Sequence, residues 1–141
     1  MTKKQPKKIE TACHADQKNF FESIAPLIAP LAQRLQLQED LLLALVAFED
    51  SWGQDEHNKR LHNLFGITQA GGNNLAFETY QACIDYWELH FGPQVKGIQD
   101  LDAFIAAMKK IGYNSVNAAY YETFKKVYAS VQKYKLACTT K

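Results

Sequence analysis

The feature that most narrows the choice of fold is an unbroken apolar run, Leu41-Leu42-Leu43-Ala44-Leu45-Val46-Ala47-Phe48, followed at once by the acidic pair Glu49-Asp50. Leucine and alanine favour a helix. Glu39 and Asp40, just ahead of the run, complement the positive end of a helix dipole, so a helix is expected from about residue 38 to residue 50. That helix has no polar face, and a helix that is apolar all round must be enclosed by protein. Helical periodicity elsewhere supplies the cover. Phe20, Phe21, Ile24, Leu27, Ile28, Leu31 and Leu35 precede the run, and Tyr80, Cys83, Ile84, Trp87 and Phe91 follow it. A further helix is expected from a cap at Asp100 to Ile111, and a last one from a cap at Asn117, carrying Tyr120, Tyr121, Phe124, Val127, Tyr128, Val131 and Tyr134. Pro26 and Pro30 predict a break or kink between Ser23 and Pro30. Gly92-Pro93 and Gly112 predict helix ends. Residues 51–74 are polar and hold Gly53, Gly66, Gly71 and Gly72, which reads as a loop with at most a small hairpin. The expected fold class is mainly α.

At 141 residues, 47% of them hydrophobic, the chain is long enough for one well-buried core. No apolar run approaches the roughly 18 residues of a membrane span, and the start Met1-Thr2-Lys3-Lys4 is not followed by a secretion segment, so neither membrane insertion nor Sec export is expected. The net charge is +1, but Lys3, Lys4, Lys7 and Lys8 lie at the start and leave the remainder slightly acidic, which argues against a nucleic-acid partner. The expected organisation is a flexible basic tail over 1–15, one folded domain over 16–136 and a C-terminal tail over 137–141. Cys13, Cys83 and Cys138 form an odd set without C-x-x-C spacing, so neither a zinc site nor a disulfide framework is indicated. Cys83 reads as a small core hydrophobe. Cys13 and Cys138 lie near opposite ends of the chain, which often meet in space; a bridge is left open, with unpaired thiols the favoured reading. His57 and His62 lack converging ligands, so no metal is expected. No phosphate loop, Ser-His-Asp order or Cys-His pair is present, and no cofactor is expected.

Glu49 breaks the pattern. On a helix it shares a face with Leu41, Leu42, Leu45 and Val46, which puts a carboxyl group on core surface. Desolvation and the negative end of the helix both raise its pKa. An acid that keeps its proton near neutrality suits the protonation of a departing glycosidic oxygen. Periodicity alone favours the plainer reading, a Glu turned to solvent at a frayed helix end or paired with Lys59 or Arg60.

The residues that follow shift that balance. Phe48-Glu49-Asp50-Ser51-Trp52-Gly53, and then Asn63-Leu64-Phe65-Gly66-Ile67, resemble the paired signature Glu-Ser-Gly-Trp-Gly and Asn-Leu-Phe-Gly-Ile/Val of the bacterial peptidoglycan β-N-acetylglucosaminidases of the flagellar-rod hydrolase and autolysin type. The likeness also takes in the apolar helix, the segment Phe77 to Tyr86, and Gly112-Tyr113 with Tyr120, about Phe20 to Val131 in all. Asp50 and Ser51 depart from the pattern. The resemblance implies a lysozyme-like helical domain that cleaves β-1,4 bonds between N-acetylglucosamine and N-acetylmuramic acid, with Glu49 as general acid. Trp52 would pack beneath the acid or line the sugar groove, with packing in the core an equal alternative. Asn63 resembles the residue that orders the loop around the cleft, with a plain turn cap as the alternative, and Phe65 and Gly66 would shape its floor. Tyr120 matches a family tyrosine that steadies developing positive charge or positions a water, with Tyr113 and Tyr121 as weaker matches.

In the family a longer β-lobe follows the second motif and supplies a second carboxylate; here only Ile67 to Asn74 is available, so a truncated β-lobe or loop is expected. Asp50, Asp55, Glu56 and Glu78 are the candidates left for that carboxylate, each more simply read as a surface charge. The alternative is a single-acid course through the substrate's acetamido oxygen, or through its 6-hydroxyl as in a lytic transglycosylase. The partners implied are peptidoglycan strands and, for a delivered antibacterial effector, an inhibitory immunity protein. Action is expected in the bacterial periplasm or cell wall, by a monomer, after non-Sec delivery or as part of a larger protein. The rivals are a catalytically inactive wall-binding or adaptor module of the same fold, and an interaction domain in which Glu49 caps a buried polar network.

Overall fold

The structure, a computed structural model, describes residues 12–69, 72–113 and 119–139. Helix α1 (Ala15–Asn19) passes through one π-helical turn (Phe20–Ile24) into α2 (Ala25–Leu35), and α3 (Glu39–Glu49) follows. A 3-10 turn (Ser51–Gly53) leads to α4 (Glu56–Leu61), then α5 (Tyr80–Val95), α6 (Leu101–Lys110) and α7 (Tyr120–Thr139). Among the described residues there is no strand. The expected lobe is reduced to a turn closed by one antiparallel bridge between Thr68 and Asn74. The fold is mainly α, as the sequence implies.

Helix α3 is the axis of the molecule. Leu41 through Ala47 are all buried, none more than 2% exposed, with α2 on one side and α7 on the other. The kink expected near the prolines takes the form of the π-helical turn, a wider ring inserted just before α2. Pro26 then sits at the start of α2, directly after that turn, and Pro30 lies inside the helix. The end expected at Gly92-Pro93 does not occur, because α5 runs on to Val95. Gly92 serves close approach instead: a Cβ there would stand 3.0 Å from Leu35 Cδ2 of α2. The stop comes at Gly97, with φ +85° and its N–H donating to the Leu35 carbonyl at 2.8 Å.

Helix α4 lies in the stretch expected to be loop. Asp55 caps it, accepting from Asn58 N–H at 2.9 Å. Asp100 caps α6 in the same way, accepting from Ala103 N–H at 2.9 Å. The cap expected at Asn117 and residues 1–11 of the basic tail lie outside the described residues. Helix α7 continues to Thr139, beyond the domain limit expected at residue 136. Its last turns lie beside α1, and Cys138 is bonded to Cys13 with Cα atoms 4.9 Å apart. The favoured reading of unpaired thiols is therefore corrected: helix packing, which spacing does not reveal, brings the two together. Cys83 is a buried free thiol, pushed up to about 11 by burial. No described helix is long and apolar enough to cross a membrane.

Candidate active site

Glu49 is the last residue of α3 and is half-buried. Two elements close on it. The first is the turn at Gly66, whose φ of +62° favours glycine and where a Cβ would stand 3.0 Å from Glu49 Oε2 and 3.4 Å from Glu49 Cβ. The second is the start of α7, where Tyr120 is buried against the Phe48 ring, with centroids 4.8 Å apart. The Tyr120 hydroxyl faces the Glu49 carboxyl, yet it is enclosed without a well-formed hydrogen bond to any protein atom. Burial pushes the Glu49 carboxyl up to about 7, and the Tyr120 hydroxyl, which favours the charged form, only partly opposes it.

Two more tyrosines complete the surround. Tyr121 donates its hydroxyl to the Tyr113 carbonyl. The Tyr113 hydroxyl accepts from Trp87 Nε1 at 3.3 Å. Burial first, and the Glu49 charge second, pushes Tyr121 up to about 12 and Tyr113 higher still. The carboxyl therefore sits among phenols that stay neutral and cannot stabilise its charge as a cation would.

The loop that carries Gly66 is held by Asn63, which is fully buried. Its Nδ2 donates to the carbonyls of Ile67 and Leu75, both at 2.9 Å, and its Oδ1 accepts from Ile67 N–H at 2.9 Å and from the Cys83 thiol at 3.7 Å. Asn63 thus holds this loop together. Phe65 is corrected. It is fully buried and stacked on Trp87 at 5.0 Å, so its ring belongs to the core and not to a cleft floor. With Asn63 fixing the loop, Gly66 faces Glu49 and Phe65 points away from it into the interior. Trp52, whose two readings were open, packs edge-on against Phe20 at 5.2 Å, Phe21 at 6.3 Å and Tyr134 at 5.5 Å. Ser51 and Trp52 have φ of 49° and 59°, two successive left-handed residues that turn the chain sharply after α3.

The candidates for a second carboxylate lie elsewhere. Asp55 is the α4 cap, Glu56 is exposed and 3.6 Å from Lys59, and Glu78 is exposed. Asp50 is corrected most sharply. It is only 1% exposed, its Oδ1 has no hydrogen-bond partner, and burial pushes it up to about 7 with Asp55 adding to the effect. Its electrostatic neighbours are Asn58 and Lys59 of α4 and Tyr80 and Cys83 of α5, a different set from the tyrosines around Glu49. Tyr121 and Asp50 are the groups that reading the sequence undervalued. His57 is exposed, and the His62 ring nitrogen Nδ1 bonds the Phe77 carbonyl oxygen at 3.0 Å. Among the described residues no group of three or more His, Cys, Asp or Glu converges to hold a metal.

Comparison with known proteins bears on the family and the fold. The family model described as glucosaminidase, mannosyl-glycoprotein endo-beta-N-acetylglucosaminidase, matches residues 25–139. No curated protein matches the chain. Among solved structures, a chain of a type VI secretion system effector-immunity complex from Pseudomonas protegens superposes with a TM-score of 0.74 at 23% identity, covering 87% of this chain and 97% of that one. A peptidoglycan hydrolase from Sphingomonas sp. A1 gives 0.71 at 22% identity, over 88% and 96% of the two chains. The catalytic domain of the autolysin Auto from Listeria monocytogenes gives 0.64 at 15% identity, over 90% of each. At these identities the likeness is one of fold.

Proposed function

The chain belongs to the glucosaminidase family, and from that premise we propose that it is a peptidoglycan hydrolase that cuts β-1,4 bonds on the N-acetylglucosaminyl side, with Glu49 as the general acid. One observation carries the proposal: a half-buried carboxyl at the end of an apolar helix, held up to about 7 with no cation among the causes of its shift, and approached so closely by the turn at Gly66 that a Cβ there would stand 3.0 Å from Oε2. At neutral pH a large share of it is protonated. It gives that proton to the glycosidic oxygen as the bond to the anomeric carbon breaks. Tyr120, whose enclosed hydroxyl faces the carboxyl without a well-formed hydrogen bond, bonds the substrate or the attacking group beside it and favours the charged form that Glu49 adopts after the transfer.

The electrostatics favour a single-acid course. Among the described residues no second carboxylate contributes to the Glu49 shift. In this course the acetamido oxygen of the substrate attacks the anomeric carbon while Glu49 protonates the leaving oxygen. Water then opens the resulting ring and returns a proton to Glu49, so the net change is hydrolysis. Attack by the 6-hydroxyl instead would end the reaction in an anhydro sugar. The neighbour drawn from an effector-immunity complex supports a partner that blocks the cleft, and action in the periplasm or cell wall.

The test is digestion of purified sacculi by the wild type and by Glu49→Gln, with mass spectrometry of the fragments. Reducing N-acetylglucosamine ends from the wild type and none from the variant are expected; reducing muramic acid ends would move the cut to the other linkage, and anhydro ends would make the protein a transglycosylase. Sugar binding without any fragments from the wild type would leave it an inactive binding module.

A further inference from the structure

We propose that Asp50 is a positioning residue for Glu49: as a neutral acid it allows Asn58 to tie α4 to the last turn of α3, and on losing its proton it releases that tie. The inference rests on Glu49 being the acid. The geometry begins in the backbone. Asp50 N–H donates to the Val46 carbonyl at 2.8 Å, extending the α3 ladder, and the Asp50 carbonyl accepts from Gly53 N–H at 2.9 Å, Gln54 N–H at 3.1 Å and Asp55 N–H at 3.2 Å. The whole turn from α3 into α4 pivots on this residue. Asn58, 4% exposed, donates its Nδ2 to the Glu49 carbonyl at 3.1 Å, accepts at Oδ1 from Asn74 Nδ2 at 2.8 Å, and lies beside the Asp50 carboxyl, whose charged form it favours. One amide side chain therefore ties the backbone of Glu49 to the loop beyond Gly66, next to the carboxyl of Asp50.

The Asp50 carboxyl suits the neutral state. It is enclosed, and Oδ1 has no partner, an arrangement far more costly for a carboxylate than for an acid. The groups that face it are Asp55 at the start of α4, which opposes a charge; Lys59 and Asn58 of α4, which favour one; and Tyr80 and Cys83 of α5, which are uncharged near neutrality. Burial outweighs the favourable pair, and the group is pushed up to about 7. When it ionises, the bare oxygen must find water or a donor. The donors that favour its charge, Asn58 and Lys59, are both on the short α4, so ionisation draws the Asn58 amide toward Asp50 and off the Glu49 carbonyl.

The experiment is the pH dependence of kcat/KM on purified sacculi. If Glu49 and Asp50 must both be protonated, log kcat/KM of the wild type falls above pH of about 7 with a limiting slope of −2. In Asp50→Asn, which is neutral at every pH, the slope becomes −1, whatever the height of the plateau. An unchanged slope would overturn the proposal. A second measurement does not depend on activity: the melting temperature of Glu49→Gln should fall between pH 5 and 8, and that of Glu49→Gln/Asp50→Asn should stay level. An equal fall in both would also overturn it. If the wild type cuts no sacculi at any pH, the assignment of Glu49 fails and the melting pair still decides whether Asp50 works as a neutral acid. Asp50→Ser carries the same readouts if Asp50→Asn does not fold.

Discussion

Asn63 and Tyr120 are both polar side chains buried close to Glu49, at 0% and 3% exposure, and they are treated in opposite ways. Asn63 uses both amide hydrogens and accepts twice at its oxygen. Tyr120 has an enclosed hydroxyl that faces the Glu49 carboxyl without a well-formed hydrogen bond. Native proteins leave few buried polar atoms without partners, because each one costs free energy. A saturated group has nothing left to offer a ligand, so its contribution is to the fold. An unsaturated group that is tolerated in the folded state is held ready for something that arrives later.

The largest effect should come from removing the proton that this pair surrounds. Glu49→Gln should lower the rate of sacculus digestion by about 10² to 10⁴-fold, in a protein that still gives a cooperative melt. Next comes Asn63→Ala, which leaves the Ile67 N–H and the Leu75 carbonyl unpaired, while the Ile67 carbonyl keeps the Leu75 N–H, and should cost about 3 kcal/mol in denaturant unfolding. Activity measured well below the melting transition should suffer less than stability does. Tyr120→Phe should show the reverse, a rate about 10 to 100-fold lower with melting unchanged or slightly raised, since an unsatisfied hydroxyl is lost. A variant of Tyr120 that melted early and kept its rate would erase the contrast. Tyr120→Phe should also move the alkaline limb of activity upward, because the hydroxyl lowers the Glu49 pKa. The smallest effect is that of Gly66→Ala, where a left-handed residue gains a Cβ 3.0 Å from Glu49 Oε2, at a cost of about 1 kcal/mol and a measurable loss of rate.

The pH dependence of stability follows with a definite sign. The folded-state pKa of Glu49 and of Asp50, both about 7, lies above the ordinary values of 4.5 and 3.8. Each contributes stability that is complete below the ordinary value and is lost as pH rises through about 7. Melting temperature should therefore decline from pH 5 to pH 8, by less in Glu49→Gln, as measured by calorimetry.

Much of this was written in the sequence where periodicity was strong. The enclosed α3, the amphipathic α2 and the capped α6 follow from spacing and capping residues, and Glu49 follows from being a carboxyl on an apolar face. The same reasoning applied one residue further would have found Asp50. Its helical neighbours three, four and seven positions back are Ala47, Val46 and Leu43, all buried; a helix that is apolar all round has no solvent face for any residue that extends it. Helix α4 was hidden because six residues make less than two turns and its apolar content is low. Asp55 at its start and Lys59 and Arg60 in its last turn were the signals present. Phe65 departs from the expectation because Gly66 alone of its motif neighbours is placed against Glu49 while its own ring turns inward, and which way a loop ring points is decided by tertiary packing and hydrogen bonds. The bond between Cys13 and Cys138 depends on where helices end in space, which spacing along the chain does not encode.

That bond fixes where the protein can be held. At about 1.5 Å per residue, Cys138 lies about 27 Å along α7 from Tyr120, and Cys13 is fastened beside it. Sequence added before Cys13 or after Cys138 would leave from one place, at the end of α7 opposite Tyr120. A passenger, a carrier or an engineered surface anchor joined there would hang like a load from a stalk, with the opposite face free to meet its polymer.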